Sequence, residues 1–383
     1  MTTIKDSRFV KLIEQLKNAR ESKNITQQAL ADKMSVQQSF VAKVEGLERK
    51  LDVIELYDWL SALDYDKEEF FRSIGWFVEK NKNSNLPALP IPKTVKPTDN
   101  GILMQLAWQG EVKEVLLENV TVEQYLAVEK QITSLFESLN SLKPNKKNRE
   151  AICDALELAV QKMPTLNPSD IYHHIIYRLY LREYSKTQAD RSWVRAGGEA
   201  VELFVEKHYQ PQLSPHNITV KALITSAEKK NALDKMGLTN DVGGSKLDVV
   251  LIGTKNNEEV VFGGIHIKAS LAERVSDDVP CSEAMMKKGL LSILFTFDAK
   301  SFPPPAGDLV NKGELGSLEN PSDKRKYIEE HGSFDACFSY NLRSVPSGGS
   351  TTSGKKIYVS SFDTKQDSLV KHVVDAWKKY CED

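Results

Sequence analysis

Two short apolar runs late in the chain limit its fold more than any other feature. LDVVLIG at 247–253 and VVFGGIHIKAS at 260–270 are rich in Val and Ile. Such β-branched residues crowd a helix and suit a pleated strand. The two runs stand close enough to pair as a hairpin. SILFTFD at 292–298, FDACFSYN at 334–341 and KIYVSSF at 356–362 have the same character. Helical patterns lie among them, in RSWVRAGGEAVELFVEKHY at 191–209, SEAMMKKGLL at 282–291 and QDSLVKHVVDAWKKY at 366–380. Strands interleaved with helices predict an α/β (α+β) domain over residues 190–383.

A chain of 383 residues is too long for one core, so further units are expected ahead of that domain. Residues 1–82 read as helices throughout: Phe9, Leu12, Ile13 and Leu16 fall at helical spacing, and Thr26 and Ser35 are placed to cap two short helices. Residues 83–101, with four prolines, read as a linker. Residues 102–189 are expected to be mostly helical. No run of about 18 apolar residues exists, so no membrane span is expected. The charged N-terminus has no apolar leader, which points to the cytoplasm. Cys153, Cys281, Cys337 and Cys381 lack metal-binding spacing and read as free thiols. A net charge of −2 confines any nucleic-acid surface to local patches.

Within the N-terminal block, TQQALADKM at 26–34 is followed by SVQQSFVAKVE at 35–45. Ala29 is small where two helices would cross, and Leu30, Val36, Val41 and Val44 can fill a core. Polar Gln37, Gln38 and Ser39 then open the second helix, with Lys43 one turn on. The segment resembles the helix-turn-helix of phage-repressor-type (XRE) regulators. That resemblance implies that Gln37, Gln38, Ser39 and Lys43 face DNA, where Gln can pair with adenine. Arg49 and Lys50 could add phosphate contacts. A helical protein-interaction bundle is the competing reading.

Hydrolysis of a phosphodiester with Mg²⁺ needs two or three carboxylates around the metal and benefits from a lysine that orients the attacking water. Asp248 begins one strand and Lys268 ends the next, twenty positions later, so a hairpin sets them side by side. Each has an ordinary reading on its own: a strand-edge acid, and a lysine whose stem covers an apolar end. Together they are similar to the PD-(D/E)XK nuclease superfamily. The position two before the lysine departs from that pattern, since it is His266 and not an acid.

One subgroup, the restriction endonucleases that read CCGG (BsaWI-like), takes the second acid from the following helix. The stretch from Lys268 to Glu283 resembles that layout, which implies Asp248 and Glu283 as Mg²⁺ ligands and Lys268 as their catalytic partner. Glu283 also reads simply as a helix first-turn acid. The subgroup adds a glutamate from an earlier helix, for which Glu202 fits best among Glu199, Glu202 and Glu206. Glu273 and Arg274 follow the lysine closely enough to enter the major groove, where Glu can accept from cytosine and Arg can bond guanine. Asp277 and Asp278 could accept from cytosine or orient Arg274; an internal Glu273–Arg274 ion pair is the alternative.

The resemblance implies a type II restriction endonuclease acting on double-stranded DNA as a homodimer or tetramer, with a palindromic CCGG core. It also implies a cytosine methyltransferase in the same system, as functional rather than physical partner. The competing function is a non-enzymatic helix-turn-helix regulator with a C-terminal sensor domain, which would have no need of Asp248, Lys268 and an acid in that order.

Overall fold

The computed structural model describes residues 7–74, 91–108, 111–141, 146–185, 189–239, 242, 247–271, 275–300, 309–363 and 367–382. The chain divides into two compact units, residues 1–85 and 86–383.

Among its described residues the first unit holds five helices: α1 (Ser7–Ser22), α2 (Gln27–Lys33), α3 (Gln38–Glu45), α4 (Val53–Ala62) and α5 (Lys67–Ser73). Thr26 caps α2 by accepting from the Ala29 amide at 3.1 Å, as its hydroxyl allows. Ser35 does not cap α3. It takes a left-handed backbone (φ 55°) in the α2–α3 turn, and Gln37 is the N-cap residue. Leu30, Val41 and Val44 are fully buried with Leu16 and Trp59. The small residue that α2 places in that core is Ala31, whereas Ala29 faces solvent. Arg20 reaches from α1 to α3, donating from Nε to Glu45 Oε1 at 2.7 Å and from Nη2 to Oε2 at 2.8 Å.

The second unit opens with an antiparallel meander of β1 (Ile91–Thr98), β2 (Gly101–Trp108) and β3 (Glu111–Glu118). The expected linker over 83–101 is thus a strand from Ile91 onward; residues 83–90 lie outside the described part. Prolines are tolerated in a strand at a sheet edge, and β1 is such an edge, carrying Pro92 and Pro97. Helices α6 (Val122–Ser138) and α7 (Lys146–Lys162) follow, then the short α8 (Pro168–Asp170), a π-helical turn over Ile171–Ile176, and α9 (Tyr177–Glu183). The long α10 (Ala189–Leu213) packs closely because Gly197 has no side chain. A Cβ there would stand 3.0 Å from the Trp193 ring and the Tyr172 hydroxyl.

The six-stranded sheet runs β4 (Ile218–Ala222), β5 (Val249–Lys255), β6 (Glu258–Lys268), β7 (Leu291–Thr296), β8 (Ala336–Ser339) and β9 (Lys356–Val359), in that order across the sheet. The first three strands are antiparallel and the last four parallel. The β5–β6 turn is made by Asn256 and Asn257, both at positive φ, a backbone that Asn tolerates. Helices α11 (Ser226–Lys235), α12 (Val279–Lys287), α13 (Asp323–Glu329) and α14 (Leu369–Glu382) complete the unit. One hydrophobic core runs from Ile102 on β2 to Trp377 on α14, so residues 102–189 share their interior with the sheet. The buried faces of α6 and α14 are part of that core. Among the described residues no helix is long and apolar enough to cross a membrane, and all four cysteines are free.

Candidate active site

Antiparallel pairing decides which side chains meet. Val249 pairs with Ile265, so Asp248, one step earlier, lies opposite His266, with Lys268 two residues further along the same face. Asp248 is buried. Its Oδ2 accepts from the Ile267 amide at 2.8 Å, which fixes the carboxylate at the end of β5. Its Oδ1 faces Lys229 Nζ on α11 at 3.4 Å.

Lys268 does not meet Glu283. Its Nζ lies 2.6 Å from Oδ2 of Asp278, a buried residue at the N-cap position of α12. The Asp278 side chain makes no cap hydrogen bond and turns to the lysine instead. Glu283 sits five residues further on, about 7 Å along the helix axis, and is half-buried without an ion pair to Lys268. Burial raises the Asp278 carboxyl above the ordinary carboxylate range, while Lys268 and then His266 pull against that shift. His266 is buried and packs edge-on against Phe334, with ring centroids 5.6 Å apart.

Three glutamates on α10 separate by environment. Glu199 is held by Arg149 at 2.8 Å and Arg195 at 3.0 Å. Burial raises its pKa, but those two bonds bring it below the usual value. Glu206 accepts from the Ala222 amide at 2.7 Å and ties α10 to β4. Glu202 is the one that senses Asp248. Burial pushes its carboxyl well up, the Asp248 charge pushes it further, and Lys229 opposes both.

The structure therefore gathers Glu202, Asp248, Lys268 and Asp278 at one end of the β5–β6 hairpin, with Lys229 beside them. Oxygen donors of this kind fit a hard divalent cation such as Mg²⁺. A buried Glu202 whose ionisation is opposed by burial and then by the Asp248 charge also fits a cation placed between the two. Asp278 and Lys229 were not anticipated as members of this group. Asp278 carries a visible signal, an acid two residues before the proline of a helix first turn. Lys229 carries none, being one of two adjacent lysines on a charged helix.

Of the expected base contacts, Glu273 and Arg274 lie outside the described residues. Asp277 is exposed in the 3₁₀ turn Val275–Asp277. In the N-terminal unit, Gln37, Ser39 and Lys43 are exposed at α3. Gln38 is half-buried and donates to Gln27 Oε1 at 2.8 Å, so its amide is already partly committed. Arg49 stacks over Phe40, 4.2 Å from the ring centroid, and pairs with Glu55.

Comparison with known proteins agrees with this architecture. Residues 224–366 match the family described as BsaWI restriction endonuclease type 2, and residues 16–70 match a helix-turn-helix family. The type II restriction enzyme AgeI of Thalassovita gelatinovora is 49% identical over 272 residues, covering 70% of this chain and 96% of that enzyme. The crystal structure of a specific AgeI–DNA complex superposes with a TM-score of 0.67 at 46% identity, covering 72% of this chain and 99% of that one. Half of the aligned residues are shared over nearly the whole length of a nuclease, and the same sheet carries the acid–lysine cluster. On these grounds the chain belongs to the type II restriction endonucleases, with a helix-turn-helix unit at its N-terminus.

Proposed function

We propose that this endonuclease hydrolyses both strands of a palindromic site with a CCGG core, using Mg²⁺ held at Asp248, Asp278 and Glu202. The observation that carries the reading is the cluster at the β5–β6 end, in which Lys268 stands 2.6 Å from Asp278 and Asp248 is anchored by the Ile267 amide. A bound Mg²⁺ would supply Lewis acidity toward the scissile phosphate. Lys268, held as an ammonium by Asp278, donates to and orients the attacking water. Glu202 closes the site from α10.

Glu273 and Arg274 are the proposed readers of the C·G steps, in a homodimer or tetramer that repeats them on each half-site. A host carrying such an activity needs its own sites protected, so a cytosine methyltransferase is the functional partner, and the cytoplasm, where the DNA lies, is the compartment. The direct test is incubation of the purified protein with plasmid DNA, with Mg²⁺ and with EDTA, followed by mapping of the ends. Cleavage in EDTA, or ends scattered outside CCGG, defeats the proposal.

The identity of the displaced acid has its own test. Asp278→Asn is expected to slow single-turnover cleavage by at least about 10²-fold, as loss of a catalytic electrostatic group does. Glu283→Gln and His266→Ala should each lose far less. An inactive Glu283→Gln beside an active Asp278→Asn would return the role to Glu283.

The helix-turn-helix unit is proposed to add grip on flanking DNA through Gln37, Gln38, Ser39 and Lys43. Residues 1–85 form a unit with its own core, so their deletion should leave a folded nuclease. Binding of the truncated protein should be weaker and fall less steeply with salt, since each lost phosphate contact removes about one unit from the log–log slope. An unchanged slope would mean the unit does not touch the target duplex.

A further inference from the structure

We infer that Lys229 is the metal's stand-in: its ammonium holds the Asp248–Glu202 acid pair together until a divalent cation takes its place. The inference rests on the proposed reading of Asp248 as a metal ligand. The two oxygens of Asp248 are not equivalent. Oδ2 already accepts from the Ile267 amide at 2.8 Å, which leaves Oδ1 the more open of the two to a metal, and Oδ1 is the atom that Lys229 Nζ approaches to 3.4 Å. Both side chains are mostly enclosed, 20% and 11% exposed, so the pair is not a solvated surface contact. Lys229 also acts on Glu202, in the direction opposite to Asp248.

The other lysine of the site, Lys268, also acts on Glu202, but less than Lys229 does, and its Nζ lies against Asp278 at 2.6 Å. Glu199 has its two arginines. Lys229 is therefore the cation that faces the acid pair from α11. Mg²⁺ on Oδ1 would sit about 2.1 Å from that oxygen. An ammonium at its present place would then be a like charge within a few ångströms in a poorly solvated site. The two cannot both hold Oδ1. Lys229 has a long flexible stem, and the other lysines of its helix, Lys230 and Lys235, are exposed, so withdrawal toward solvent needs only rotamer changes.

A residue that merely supported the ligands would weaken metal binding when removed; a placeholder strengthens it. The measurement is Mn²⁺ binding to the DNA-free full-length protein, read from the electron-spin signal of the free ion. Lys229→Met, which keeps the apolar stem, should bind Mn²⁺ roughly tenfold tighter, because a competing charge has gone. Lys229→Arg should stay near wild type. Lys230→Met makes the same charge change from an exposed neighbouring position and should gain less than about twofold. In EDTA, Lys229→Met should melt below wild type, and added Mn²⁺ should close the gap. Unchanged or weaker Mn²⁺ binding by Lys229→Met, or an equal gain in Lys230→Met, overturns the inference. Asp248→Asn separates the two levels. If it binds Mn²⁺ as wild type does, the metal-ligand reading itself is wrong. If it loses Mn²⁺ while Lys229→Met gains nothing, only the placeholder is wrong.

Discussion

Asp248→Asn is expected to cut its target at least about 10³-fold more slowly than wild type while binding the same duplex as tightly or more tightly. The two effects separate because the substitution touches charge and little else. The Asn carbonyl oxygen can still accept from the Ile267 amide, and the Asp248 backbone carbonyl still accepts from the Leu223 amide at 2.8 Å, so the β4–β5–β6 edge keeps its hydrogen bonds. What disappears is the negative oxygen facing Lys229, and with it the proposed seat of the metal. Loss of an anion beside the scissile phosphate also removes a repulsion, which is why affinity should hold or rise. Single-turnover cleavage in Mg²⁺ and gel-shift titration in EDTA read the two quantities independently. Cleavage within tenfold of wild type would place the metal elsewhere, whatever the binding result.

The hairpin that carries this acid was legible because its signal is local. Asp248 and Lys268 flank short, continuous apolar runs rich in Val and Ile, and a turn of two asparagines joins them. The helix-turn-helix was legible for a similar reason, though its details moved: the buried small residue is Ala31 and the cap of α3 is Gln37. The sequence is less legible where the contacts are long-range. Pro92 and Pro97 speak locally for a linker, and only the neighbouring β2 strand reveals an edge position where their missing amides cost little. Glu283 and Asp278 both precede or open the same helix, so spacing could not choose between them. What the structure adds is that Asp278, after the 3₁₀ turn Val275–Asp277, is the acid that lies beside Lys268. Glu202 and Glu199 differ by one helical turn, and the sequence gives no sign that Arg149 on α7 bonds Glu199 across fifty residues.

The largest effect on recognition is expected from Arg274→Ala. A bidentate arginine–guanine contact in the major groove contributes about 1–3 kcal/mol of discrimination. In a two-fold assembly the residue acts once in each half-site, so the loss doubles to roughly 2–6 kcal/mol, or about 30-fold to 10⁴-fold in specific affinity. Non-specific affinity should hardly change, because it depends on phosphates and the lost cation is one among many. The competing assignment, an internal Glu273–Arg274 ion pair, makes the opposite forecast: a modest fall in melting temperature with discrimination intact. The measurement is binding to a duplex with central CCGG and to one with that core scrambled, at one salt concentration, with Ca²⁺ to prevent cleavage. Glu273→Gln should weaken the preference through the cytosine amino group, by less than the arginine because only one hydrogen bond is at stake. An Arg274→Ala protein that keeps the wild-type ratio between the two duplexes would move the reading of the core to other residues, and would do so without disturbing the acid–lysine site.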